Sequence, residues 1–173
     1  MGDLALGISK IEYGTVGDGV PATEFTDLGE NIAKDSVVFS FADPSEFKIE
    51  AEEIDDPVYV ANIKEDVDYI EFALISPSAA TMELLAGGTT TSDKWEAPSS
   101  IPEINKTIKI TTKTIETKYF EYTIVNGKIV AKLNQSPLKQ QEEQLLVRVY
   151  IQAAVTSGGV VNTPFIREIK TAV

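Results

Sequence analysis

The chain has 173 residues, 43% hydrophobic and 24% charged, a size and balance that suit a single domain, 1–173, able to bury a core. It contains neither cysteine nor histidine, which excludes disulfides, thiolate or imidazole catalysis and a Cys/His zinc site. The net charge of −12 disfavours a grip on nucleic-acid phosphates; it marks either plain solubility or a surface that sits near DNA without adhering to it.

No run approaches the ~18 consecutive apolar residues of a membrane span. Met1-Gly2-Asp3-Leu4 places an acid where a signal peptide carries bases. Synthesis in a cytoplasm, with no membrane anchoring, is the expectation.

Residues 4–13 alternate weakly through Leu4, Leu6 and Ile8, then break at Gly14-Thr15-Val16-Gly17-Asp18-Gly19. That pattern predicts a strand running into a glycine-rich turn. A phosphate loop is the competing reading, but Val20-Pro21-Ala22-Thr23 does not open the helix whose N-terminus such a loop requires.

Residues 36–53 predict two short strands, one presenting Val37, Phe39 and Phe41, the other Phe47, Ile49 and Ala51. Asp43-Pro44-Ser45 turns the chain between them, so the two are expected to pair as a hairpin. Residues 50–56 then gather five acids (Glu50, Glu52, Glu53, Asp55, Asp56) ahead of Pro57. Clustered carboxylates suit a hard cation, yet the Asp-x-Asp-x-Asp-Gly spacing is missing, and a solvated acidic rim is the better reading. Residues 66–75 predict the next strand, with Ile70, Phe72 and Leu74 inward and Asp68, Tyr69 and Glu71 outward.

One helix is signalled by Ser76 as cap, Pro77 at the first helical position and Gly87-Gly88 at the end. Its apolar stripe is Ala80, Leu84 and either Met82 or Leu85, over about three turns. The polar stretch 89–100 holds the only tryptophan, Trp95. A lone loop tryptophan serves as a sugar platform or, more commonly, as an anchor onto its own or a neighbouring subunit.

The second half reads as strand throughout. Residues 106–115 alternate Ile108 and Ile110 with Thr107, Lys109, Thr111 and Lys113. Residues 119–125 and 128–134 flank Asn126-Gly127, a hairpin signal. Residues 144–155 present Leu145, Val147, Val149, Ile151, Ala153 and Val155 on one face, Gly158-Gly159 turns the chain, and residues 165–170 close it. The sum is about eight or nine strands and one helix: a mainly β chain, an antiparallel β-sandwich or flattened barrel with one flanking α-helix. Open edges in such a fold are either blocked or used for assembly.

A family resemblance follows from Gly7-Ile8-Ser9-Lys10-Ile11-Glu12-Tyr13-Gly14, Phe25-Thr26-Asp27-Leu28-Gly29-Glu30 and Ala42-Asp43-Pro44-Ser45-Glu46. Glu52-Glu53-Ile54-Asp55-Asp56-Pro57, the helix leading into Gly87-Gly88-Thr89, and Trp95-Glu96-Ala97-Pro98 continue it. In order and spacing these resemble the major tail (tail tube) proteins of long-tailed phages and prophages.

The resemblance implies a non-enzymatic, cofactor-free structural subunit, made in the host bacterial cytoplasm and located in the virion tail. Such subunits form hexameric rings that stack into a tube, whose acidic lumen conducts the genome during ejection without binding it specifically. Tape measure, terminator and distal tail proteins are the implied partners. By position, the 36–53 hairpin is the candidate inter-subunit arm and 89–100 a second contact. The candidate interface residues are therefore Phe39, Phe41, Phe47, Ile49 and Trp95. Lys106, Lys109, Lys132 and Arg148 are expected in inter-subunit pairs. The alternatives are a related tube, terminator or connector protein of a tail or contractile secretion apparatus, and a glycan-binding sandwich using Trp95. An enzyme built on a carboxylate pair comes last, since 50–56 singles out no pair.

Overall fold

A computed structural model describes residues 3–172. The chain begins with β1 (Ile8–Gly14), followed by the short strands β2 (Thr26–Asp27), β3 (Asn31–Ile32) and β4 (Val38–Ser40). A hairpin of β5 (Ser45–Ile49) and β6 (Tyr59–Ile63) leads into β7 (Tyr69–Ile75) and the single helix α1 (Ala79–Ala86). A small hairpin of β8 (Thr89–Thr91) and β9 (Lys94–Glu96) precedes the long strands β10 (Ile104–Thr112), β11 (Lys118–Gln135) and β12 (Gln144–Ile151). The pair β13 (Ala154–Val155) and β14 (Val161–Asn162) leads to β15 (Phe165–Thr171).

Nine strands make one antiparallel sheet in the order β2-β1-β10-β11-β12-β7-β3, with β15 on β11 and β4 on β7. The segment from β2 to β3 pairs with β1 at one end and with β7 at the other, so one short piece of chain ties the two sides of the sheet together. The result is the expected mainly β fold, a flattened antiparallel sandwich flanked by one helix.

Side-chain period builds the core. Register sets Ile70, Phe72 and Leu74 against Val149, Val147 and Leu145, and those against Ile129, Ala131 and Leu133. Ile70, Phe72, Leu74, Leu145, Val147 and Val149 are fully buried, each contributing about 1.5–3 kcal/mol of burial. Ile11, Ile108, Ile110 and Ile124 complete the same cluster from β1, β10 and the first half of β11. Thr107 is buried on the opposite face of β10; its hydroxyl accepts from Ala22 N and donates to Val125 O, so it carries no unmet polar cost there.

Four expectations are corrected. Asn126-Gly127 makes no hairpin, because β11 runs unbroken through it. The two residues instead mark where β11 changes neighbour, its first half pairing with β15 and its second with β12. A register shift against β10 falls at the same place, so the pair sits at a bulge and not at a turn. The 36–53 hairpin does not form either: β4 pairs with β7, while β5 turns to β6 across the acidic stretch. Ala42 N donates to Asp68 Oδ1 at 2.9 Å, pinning the chain to the start of β7 before the arm departs.

The helix starts later than its sequence signals suggest. Ser78 is the N-cap, accepting from Thr81 N, while Ser76 has a positive φ of 42° and Pro77 precedes the cap. Buried Thr81, Met82 and Leu85 form its inner stripe; Ala80 is exposed. At the other end Gly88 has φ 93°, and a Cβ there would fall 2.1 Å from Glu96 O, so only glycine fits. Finally, the strand expected over 144–155 ends at Ile151, and Val155 lies exposed in β13.

Candidate functional site

Two surfaces stand apart from the packed body. The first is the β5–β6 hairpin. Its register places Ser45, Phe47 and Ile49 opposite Ile63, Ala61 and Tyr59, so these six residues share one face. The other face carries Glu46, Lys48, Val60 and Asn62, with Lys48 and Glu46 paired at 3.1 Å. The hairpin is amphipathic, yet Phe47, Ile49, Tyr59 and Ile63 are all about half exposed. None of its residues joins the core cluster or packs against it. Its turn is ordered by Ile54 N donating to Ala51 O and Val58 N donating to Ile49 O. The five acids lie on this turn, all exposed.

The second surface is a groove of about 500 Å³ between the end of α1, the 98–102 segment and the second half of β11. Met82, Leu85 and Leu145 form its floor, Trp95 and Pro102 a wall, and Ile101 and Leu133 an apolar rim. Ile101 is 88% exposed, and Lys132 is the one charged residue of the lining. Trp95 is half-buried, its Nε1 donating to Gly87 O at 2.8 Å. The 89–100 segment is therefore anchored to its own helix, with its backbone folded as β8 and β9.

The predicted interface residues separate into three places. Phe47 and Ile49 lie on the apolar face of the arm. Phe39 packs edge-on against Tyr122, with ring centres 4.9 Å apart, and exposed Phe41 meets Phe165 at 5.3 Å. Trp95 belongs to the groove. Tyr59 and Ile63 were missed, although the alternation Tyr59-Val60-Ala61-Asn62-Ile63 carries their signal; Asp56-Pro57 just ahead of it reads as the end of a strand pair.

Most of the bases are ion-paired inside the chain. Lys109 is 3.1 Å from Glu12, and Arg148 binds Glu71 at 2.6 Å with its guanidinium over the Tyr69 ring. These two bases, expected to bridge subunits, are engaged within one chain. Lys106 and Lys132 have no ion-pair partner among the described residues. Burial opposes ionisation of Glu12, but the hydrogen bond from Lys10 and the Lys109 ammonium 3.1 Å away outweigh it and hold the carboxyl below its ordinary value.

Among the described residues no group of three acids is placed to hold a metal ion, and no helix is long and apolar enough to cross a membrane. No protein-family model matches the chain, and no curated protein matches it.

Proposed function

We propose that this protein is a non-catalytic structural subunit that assembles with copies of itself into rings and stacked tubes, in the manner of the tail tube proteins it resembles. In that reading it belongs to a virion tail, with genomic DNA passing through the lumen. The observation that carries the proposal is the arm: an ordered, amphipathic hairpin whose apolar face stays about half exposed and, among the described residues, packs on no part of the core. Exposed apolar residues clustered on one face mark an interaction surface, and a hairpin standing alone is marginal in water until something covers it.

The charge of the chain supports the same reading: a net −12 leaves DNA unattracted. The test is electron microscopy of the concentrated pure protein beside a Phe47→Ser/Tyr59→Ser variant. Rings or tubes from the parent chain that are lost in the variant are the expected result. A chain that stays monomeric at every concentration overturns the reading, and rings that never stack would assign it to a connector.

A further inference from the structure

We propose that a pocket between the start of β1, the end of β10 and the 32–39 segment binds a compact amphipathic anion, an apolar body ending in one carboxylate or sulfonate. The pocket shares no lining residue with the arm or with the groove beside Trp95. It needs no second copy, so it goes beyond the assembly reading.

The pocket has a volume of about 620 Å³, within the range of small-molecule sites. Its apolar lining comes from Ile8, Ile32, Val37 and the edge-on pair of Phe39 and Tyr122. Ala5 and Gly7 add backbone along one side. The segment that carries them is held at both ends, by Asp3 on Lys118 at 2.9 Å and by Lys113 N donating to Gly7 O at 3.2 Å. A Cβ on Gly7 would stand 3.2 Å from Cδ of Lys113, so the lysine stem lies across the bare glycine at the edge of the pocket.

Charge selects the ligand. Two bases line the pocket, Lys34 after β3 and Lys113 after β10. Both are exposed, and neither has an ion-pair partner among the described residues, in a chain where acids outnumber bases and most bases are paired. Asp35 is the one acid of the lining; it is exposed and pairs with neither lysine. The Thr112 hydroxyl is already engaged, accepting from Phe120 N and donating to Lys113 O. A neutral ligand would leave both ammonium groups without a counter-charge, and a cation would meet two like charges against one opposite. An anion with an apolar body matches both halves of the lining. Exposed ion pairs are weak, so burial of the body supplies the affinity and the lysines choose the sign.

A matched pair of fluorescent probes separates the two contributions: anilinonaphthalene sulfonate, and phenylnaphthylamine, the same body without the sulfonate. Titration of the full chain should give saturable binding of the sulfonate, displaced by decanoate and several-fold tighter than that of the neutral probe. The double variant Lys34→Gln/Lys113→Gln, altered at exposed positions only, should weaken the sulfonate about three- to tenfold and leave the neutral probe unchanged. Val37→Trp fills the pocket and should weaken both probes, whereas Ile101→Ser, in the groove beside Trp95, should affect neither. Equal affinities for the two probes, or a sulfonate titration indifferent to the lysines, would overturn the proposal. Binding that falls in Ile101→Ser and survives the lysine variant would overturn it too, since the probe would then sit in the groove. If Val37→Trp does not fold, the lysine variant and Ile101→Ser decide the matter alone, and a parent chain that binds neither probe removes the site.

Discussion

A Cβ on Gly127 would lie 2.5 Å from Cγ1 of Val149 and 3.1 Å from Lys106 O. The backbone of β11 therefore touches its neighbours with no room for a methyl group. Gly127→Ala forces either β11 or Val149 to move, at about 1–3 kcal/mol. The urea midpoint should fall with the slope unchanged. Gly158→Ala is the control, since its nearest neighbour stands 3.8 Å from the added atom; it should stay within about 0.5 kcal/mol of the parent.

That glycine also explains which parts of the fold were legible in sequence. Strict alternation is local information, and it correctly placed Ile70, Phe72, Leu74, Ile108, Ile110, Leu145, Val147 and Val149 in the core. Asn126-Gly127 has the composition of a tight turn, but Gly127 is there for lack of a side chain, against Val149 of another strand. Nothing near position 127 encodes that contact. The arm failed for a similar reason. Which of two neighbouring strands β5 joins is decided by where the chain is pinned, and the bond from Ala42 to Asp68 spans 26 residues. Trp95 was legible as an anchor, while the groove beside it needs α1, the 98–102 segment and β11 brought together.

Trp95 holds the 89–100 segment in place through one hydrogen bond and its packing on the core. Trp95→Phe keeps most of the ring area and removes the donor to Gly87 O, costing about 1 kcal/mol. Trp95→Ala removes both and should cost about 3 kcal/mol, the low end for a large aromatic because the ring is half-buried. Thermal unfolding followed by circular dichroism measures both, as neither variant retains a tryptophan. Equal losses in the two variants would show that packing contributes nothing.

Acid should weaken the protein through Glu30 and Glu12. One oxygen of Glu30 accepts from Ser78 N at 3.0 Å, Ser78 Oγ at 2.8 Å and Thr81 Oγ1 at 2.6 Å, tying the start of α1 to the chain ahead of β3. Burial opposes its ionisation, but these donors outweigh it and lower its pKa, as the lysines do for Glu12. Folded pKa values below the unfolded ones mean the contribution is fully present above about pH 4.3 and is lost as pH falls through the lowered values. Glu30→Gln should cost about 1 kcal/mol at pH 7. The gap from the parent should close at the acid end, a convergence that denaturation curves taken across pH would reveal. A gap independent of pH would assign the loss to shape and not to charge.

Substitutions on the arm should separate assembly from folding. Phe47, Ile49, Tyr59 and Ile63 are about half exposed and belong to no core cluster. Replacing Phe47 and Tyr59 by serine removes apolar area that the isolated chain leaves about half in water and outside the core cluster, so urea stability of the monomer should change by no more than about 1 kcal/mol. The same change removes the hydrophobic part of the interface, and each fully buried aromatic there carries about 2 kcal/mol or more. Sedimentation across a concentration series should therefore show the parent associating and the double variant not. Val149→Ala supplies the opposite case: a fully buried core residue whose truncation should lower the urea midpoint while leaving the arm untouched. An arm variant that unfolds as readily as the core variant would mean that the hairpin packs on its own chain in solution, and assembly would then have to use another surface.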